Sequence, residues 1–314
     1  MADQLTLFGL WEAVSDPEPA EPPVEAPVVS PVVDDPLQTD LFSGSHVGFN
    51  QALTALGSLD ADALRAAADA FGRRYPEHEA PPRWRAWAST LASKLAGEPS
   101  ALADLAVGDL TVRFEGIGRA MADVLRPAVC RRAAERLIEV GGPGARTSDG
   151  RPAARLLVMA GDPTAAVRAL ERAVAAGDES AAVRVELARA LGAVGRLEAA
   201  LHCWRDALLL DPASADETEL ATTRLVEALD EAAELELPGD ARAWVPALAD
   251  LLHLATMPIR AADQSFEDQP GRLAGLLARY RAARAAGAPD ALLLALKREM
   301  IVLAPSLRER VRRL

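Results

Sequence analysis

From residue 46 onward the apolar positions recur at helical spacing. Phe49, Leu53 and Leu56 fall three or four residues apart, which predicts a helix over 46–57. Ser58-Leu59-Asp60 reads as a turn, and Asp60 caps a second helix that carries Leu64 and Phe71 and stops before Pro76. Two helices on a short turn make an αα-hairpin. Pro81-Pro82 opens a further helix with Trp84, Trp87, Leu91 and Leu95 on one face, and Pro99 sits in the first turn of a short one. A longer helix is expected over 118–140, where Pro127 is a point of kinking or splitting. Gly141-Gly142-Pro143-Gly144 is a break.

The next stretch repeats itself. Arg155-Leu156-Leu157-Val158-Met159-Ala160-Gly161-Asp162 aligns with Arg189-Ala190-Leu191-Gly192-Ala193-Val194-Gly195-Arg196 at an offset of 34. The offset continues through Ala166 and Ala200, Leu170 and Trp204, and Ala173 and Ala207. A small residue suits the place where two paired helices cross closely. A large apolar residue a turn later fills the groove to the next pair. Asp211-Pro212 ends the second helix, because a residue before proline is pushed away from α geometry.

A helix, a glycine turn and a helix with a period of 34 resembles the tetratricopeptide repeat family. Gly195-Arg196-Leu197-Glu198-Ala199-Ala200 and Ala207-Leu208-Leu209-Leu210-Asp211-Pro212 carry the resemblance over 181–214, and 147–180 follows it less fully. The family's early aromatic position is Arg184 here and its tight glycine is Ala188, so the repeats are degenerate. The resemblance implies an all-α fold of helical hairpins stacked as a solenoid, with a groove that takes a protein or peptide partner. Past Asp216 the 34-residue phase is lost, and helices are expected over 216–236, 240–257, 270–286 and 289–304. The expected organisation is a tail over 1–45, helical hairpins over 46–146, two repeats over 147–214, and further hairpins that cap the array over 215–314.

Composition agrees with helix. Half of the 314 residues are hydrophobic and 4% aromatic, and Ala and Leu favour helix where β-branched and aromatic residues favour strand. Charge separates the tail from the body. Residues 1–45 hold the acids Asp3, Glu12, Asp16, Glu18, Glu21, Glu25, Asp34, Asp35 and Asp40 and no Lys or Arg, so the net charge of −12 leaves the body nearly neutral. Neither part carries the basic footprint of a protein that grips phosphates by charge, and direct nucleic-acid binding is not expected. Seven prolines over 11–36 exclude a helix or central strand there, and an extended, disordered linker is expected. An acidic N-terminus without an apolar core and the lack of a long apolar run lead to the expectation of a cytoplasmic protein without membrane spans.

Two short motifs lie in the tail. Gln4-Leu5-Thr6-Leu7-Phe8 resembles the peptide by which bacterial polymerases and repair proteins dock on the sliding clamp, and Gln38-Thr39-Asp40-Leu41-Phe42 matches its looser form. The resemblance implies that Gln4 is a polar anchor and that Leu5, Leu7 and Phe8 fill an apolar cleft, with Gln38, Leu41 and Phe42 in the second copy. The alternative function is thus a clamp-recruited replication or repair accessory. The competing reading is an amphipathic segment that folds back on the body.

Other chemistry is thin. Gly116-Ile117-Gly118 resembles the hairpin of helix-hairpin-helix DNA-binding motifs, but Glu115 beside it would repel phosphate, and a glycine turn opening a helix is the plainer reading. Gly141–Thr147 lacks the lysine of a phosphate loop. His46, His78, His202 and His253 are scattered, and Cys130 and Cys203 have no metal or disulfide spacing. With no cofactor, metal or catalytic pattern to argue from, a binding protein is expected and not an enzyme.

Overall fold

A computed structural model describes residues 44–114, 116–258, 261–262 and 266–314. Val47–Leu314 forms one compact unit; the other is Met1–His46, of which only residues 44–46 are described. Both tail motifs, with Gln4, Leu5, Leu7, Phe8, Gln38, Leu41 and Phe42, lie outside the described residues. Helices and short connections account for the described residues. No strand occurs among them, and one isolated antiparallel bridge pairs Arg146 with Pro152.

The first helices are α1 (Gly44–Gly57), α2 (Ala61–Arg74) and α3 (Ala80–Ala96). Leu59 takes φ 56° between α1 and α2, the Asp60 N–H reaches back to the Ala55 carbonyl at 2.9 Å, and the Asp60 side chain accepts the Ala63 N–H at 2.8 Å. Phe49, Phe71 and Trp84 join the three helices, with ring centroids 5.1–5.6 Å apart. Next come α4 (Pro99–Val107), the single turn α5 (Leu110–Arg113) and the long α6 (Arg119–Gly141). Pro127 does not split α6, which runs on for 23 residues. Two of its arginines tie it to other helix ends. Arg136 donates to the Leu95 and Gly97 carbonyls at 2.7 and 2.9 Å, and Arg126 to those of Ala106 and Gly108 at 3.3 Å.

The repeat region holds α7 (Arg155–Met159), α8 (Pro163–Ala175), α9 (Ala181–Ala193) and α10 (Leu197–Leu210). Its two turns share the same backbone bonds, although only Asp162 also caps its helix with its side chain, accepting the Ala165 N–H at 2.9 Å. Gly161 and Gly195 take φ 76° and 78°, and the N–H groups of Asp162 and Arg196 both close on the leucine five residues back, Leu157 and Leu191, at 2.9 Å. Both members of each small pair, Ala166 with Ala200 and Ala173 with Ala207, are buried, as are Leu170 and Trp204. The first repeat is shortened. Thr147 to Gly150 closes a turn, with Gly150 at φ 78°, and Pro152 follows, so α7 is only five residues long.

Beyond Asp211, which accepts the Ala213 N–H at 3.0 Å, come α11 (Glu217–Leu220), α12 (Val226–Glu234), α13 (Ala241–Leu251), α14 (Gln269–Ala285), α15 (Asp290–Leu303) and α16 (Arg308–Arg312). The helix expected over 216–236 is broken in two. The hydroxyls of Thr222 and Thr223 bond the carbonyls of Glu219 and Leu220 at 2.7 and 2.8 Å, and Thr223 Oγ1 then takes the Leu225 N–H at 3.1 Å. Side-chain hydroxyls here compete with the helix for its own backbone. The helix expected over 240–257 stops at Leu251. Asp250, 1% exposed, takes the Met257 N–H at 2.5 Å and is itself held by Arg281.

Two apolar cores meet in the α9–α10 pair. Val183, Leu187 and Leu191 of α9 belong to the core shared with α1–α8, while Val185 and Ala188 belong to the one that runs on to Val311. Leu201, Trp204 and Leu208 of α10 join the second. This hairpin thus buries apolar residues on both of its sides.

Candidate interaction groove

Arg155 and Arg189 stand 34 positions apart on α7 and α9, and both reach one carboxylate. Glu186, 3% exposed, receives Arg189 Nη1 at 2.5 Å and has Arg155 Nε at 3.7 Å. Arg189 also grips Glu219 of α11 at both oxygens, at 3.0 and 2.7 Å. A ladder of alternating charge therefore runs across α7, α9 and α11. Arg242 flanks it, bonded to Asp240 at 2.7 Å and to the Ala215 carbonyl at 3.1 Å.

Burial pushes the Glu186 carboxyl above the usual carboxylate range, against the pull of Arg189, Arg155 and Arg151. For Arg189, burial favours the neutral form, but the bonds to Glu219 and Glu186 outweigh it and hold the guanidinium charged.

The ladder lines an open groove of about 860 Å³. Val158 and Met159, half-buried, supply its apolar part. A second concavity of about 580 Å³ shares Arg189, Thr218 and Glu219 with the first. It is mostly apolar, with Ala188, Gly192, Leu201 and Trp204 among its lining and Leu197, 64% exposed, among them. The guanidinium carbon of Arg189 lies 6.0 Å from the centre of the Trp204 ring. The Arg189–Glu219 pair is thus common to both concavities, one lined by charge and the other by carbon. Such a pairing suits an extended peptide or a helix that offers polar groups to one and an apolar side chain to the other.

The remaining candidates resolve individually. Ile117 is 7% exposed and Gly116 sits at φ 72°, where a Cβ would lie 3.2 Å from the Arg83 side chain, so the Gly116-Ile117-Gly118 turn serves α6 packing. Glu115 lies outside the described residues. His78 accepts the Ala80 N–H through Nδ1 at 3.0 Å and packs on Phe49 and Phe71. No group of metal-ligating side chains occurs among the described residues. Burial pushes the Cys130 thiol up to about 11, against the nearby Arg126, and raises Cys203 as well. Both therefore stay protonated near neutral pH. Trp84, Trp87, Trp204 and Trp244 are all core residues, at most 4% exposed. Among the described residues no helix is long and apolar enough to cross a membrane.

Glu186 and Glu219 carried no signal in the sequence. The repeat pairs Arg155 with Arg189, which marks one place on α7 and α9, but their shared carboxylate comes from α9 itself. The chain matches no protein-family model, and no curated protein and no solved structure matches it.

Proposed function

We propose that this chain is a protein–protein interaction scaffold of the tetratricopeptide type, whose stacked hairpins take a peptide or helix in the groove beside α7, α9 and α11. One observation carries the reading. A charged groove and an apolar pocket share Arg189, Thr218 and Glu219, next to the hairpin that repeats at 34 residues. A ladder this well paired has its charges satisfied before a partner arrives, so partner affinity comes from the apolar pocket and the charges set orientation.

Leu197 offers the cleanest test, because its exposure means that a polar substitution leaves the core intact. A protein retained by the full chain on an affinity column should be lost with Leu197→Asp while the variant keeps its helical circular dichroism. Equal retention of that protein by both would remove the groove as its site.

A second reading rests on the tail alone. The two Gln-to-Phe motifs support recruitment to the bacterial sliding clamp, in which case the body carries cargo to it. The two readings are compatible, since they use different residues.

A further inference from the structure

The apolar concavity lies beside an interruption in the run of helices. α9 and α10 form a complete hairpin, but α11 ends at Leu220 after a single turn. The chain then bends through Thr222 and Thr223, whose hydroxyls take up the Glu219 and Leu220 carbonyls, before α12 begins at Val226. Between this bend and the α9–α10 hairpin a space of about 580 Å³ is left open.

One residue lining that space has no structural reason to be what it is. Gly192 sits in the last turn of α9, and its φ is not in the left-handed region. A Cβ built on it would meet nothing within 4 Å. Glycine is, after proline, the poorest helix former, so neither the backbone nor the packing of this fold favours it here. The room left by its missing side chain belongs to the concavity that it lines. Ala188 and Ala200 keep the neighbouring surface low, while Leu197, Leu201 and Trp204 of α10 supply carbon. The charges of the rim are matched within the rim, Arg189 with Glu219 at 2.7 Å and Arg224 with Glu198 at 3.7 Å. A charged occupant has to compete with one of these pairs, and an uncharged one does not.

We infer that this space is a slot for one flat, uncharged aromatic side chain of the partner, and that Gly192 is the residue that admits it. The inference rests on the groove reading above and names the chemistry of the group that anchors there. A tryptophan or phenylalanine brings the largest apolar area of any side chain. Arginines stand at the rim, and Arg189 already lies 6.0 Å from the centre of the Trp204 ring. A second ring seated beside them gains an attraction that an aliphatic side chain lacks. Gly192 thus determines specificity: its want of a side chain favours a broad ring over a narrow aliphatic group.

The probes are the N-acetyl amides of tryptophan, phenylalanine, leucine and glutamate, titrated into the full chain with isotope-labelled leucine methyl groups and followed by nuclear magnetic resonance. The two aromatic amides should shift the Leu197 and Leu201 signals with dissociation constants on the order of millimolar, the level open to fragments of this size. The leucine amide should bind at least about fivefold more weakly, and the glutamate amide should leave both signals in place. Gly192→Leu fills the slot from within and should abolish the response, with circular dichroism to confirm that it folds. Gly192→Ala adds a methyl group that meets no neighbour. It should raise the urea midpoint and yet weaken the tryptophan amide at least about threefold. Aromatic amides that move neither signal overturn the proposal. So does a leucine amide that binds as tightly, or a Gly192→Ala chain that binds the tryptophan amide undiminished. The groove reading fails separately, on retention of a protein partner by Leu197→Asp.

Discussion

Arg189 holds Glu219 by two parallel bonds of 3.0 and 2.7 Å while its other amino group reaches Glu186 at 2.5 Å, so one guanidinium joins α9 to α11 and neutralises a carboxylate that is 3% exposed. Arg189→Ala removes all three bonds. Arg155 at 3.7 Å is then the nearest cation left to Glu186. Losing a charge-assisted network around a buried carboxylate should cost about 2–4 kcal/mol, which urea denaturation would register as a lower midpoint. Glu186→Gln keeps the volume and drops the charge, so its cost should be clearly smaller. Equal losses for both variants would mean that the charge on Glu186 carries the whole effect and that the packing of the Arg189 side chain adds nothing.

The pH dependence at Glu186 has a definite sign. Its folded value lies above the ordinary 4.5, so the folded state holds a proton that the unfolded chain has already lost. Glu186 therefore contributes less stability as pH rises from 4.5 through the raised value. Asp178 behaves in the opposite way. Burial works against its ionisation, but the bonds from Ser180 and Arg146 prevail and hold it below its ordinary 3.8. Its contribution is present above that value and is lost as pH falls below it. The stability gap between wild type and Glu186→Gln should move in favour of the variant as pH rises above 4.5, whereas the gap for Asp178→Asn should shrink only as pH falls below 3.8. Denaturation midpoints over pH 3–7 separate the two.

Gly161 and Gly195 test whether the repeat is physical. Both sit at positive φ, and a Cβ at either would meet nothing within 4 Å. The cost of Gly161→Ala and Gly195→Ala is thus conformational strain alone, about 1–2 kcal/mol each. The two values should agree within about 0.5 kcal/mol, since surface context adds little at open sites. Unequal costs would show that the turns differ in a way their bonds do not reveal.

These turns explain why so much of the architecture was legible in sequence. Glycines at a fixed offset, capping Asp60 and the proline breaks are local signals, and each left a helix end close to where it was expected. What escaped prediction was set by longer-range or competing bonds. Thr222 and Thr223 read as ordinary helix residues, yet their hydroxyls break the helix after Leu220. Asp250 keeps its helical position, but the chain turns at His253, φ 59°, where the Leu254 N–H closes on the Ala249 carbonyl at 2.8 Å, and Asp250 then holds the Met257 N–H and Arg281, 31 residues away. Pro127 read as a point of kinking or splitting, and α6 runs through it unsplit, with Arg126 and Arg136 tying it to neighbouring helix ends. The groove was half legible. Arg155 and Arg189 share a repeat position, but the Glu219 that completes the ladder follows the loss of the 34-residue phase.

The tail makes its own prediction, independent of the groove. A peptide of residues 1–14 should bind a purified bacterial sliding clamp, and Leu7→Ala with Phe8→Ala should abolish binding, because the implied contact is an apolar cleft filled by those two side chains. The second motif lacks a leucine after its glutamine, so a peptide around Gln38, Leu41 and Phe42 should bind more weakly than the first. On a clamp with several identical sites the whole tail has a further advantage. Once Phe8 is seated, the second motif is tethered about thirty residues away, and its local concentration is on the order of millimolar. Residues 1–45 should therefore bind more tightly than either peptide, and Phe42→Ala should reduce that to the affinity of the first motif alone. Calorimetry distinguishes the cases. If residues 1–14 give no heat at high micromolar concentration, clamp recruitment through this motif is excluded, and the groove predictions stand unaffected.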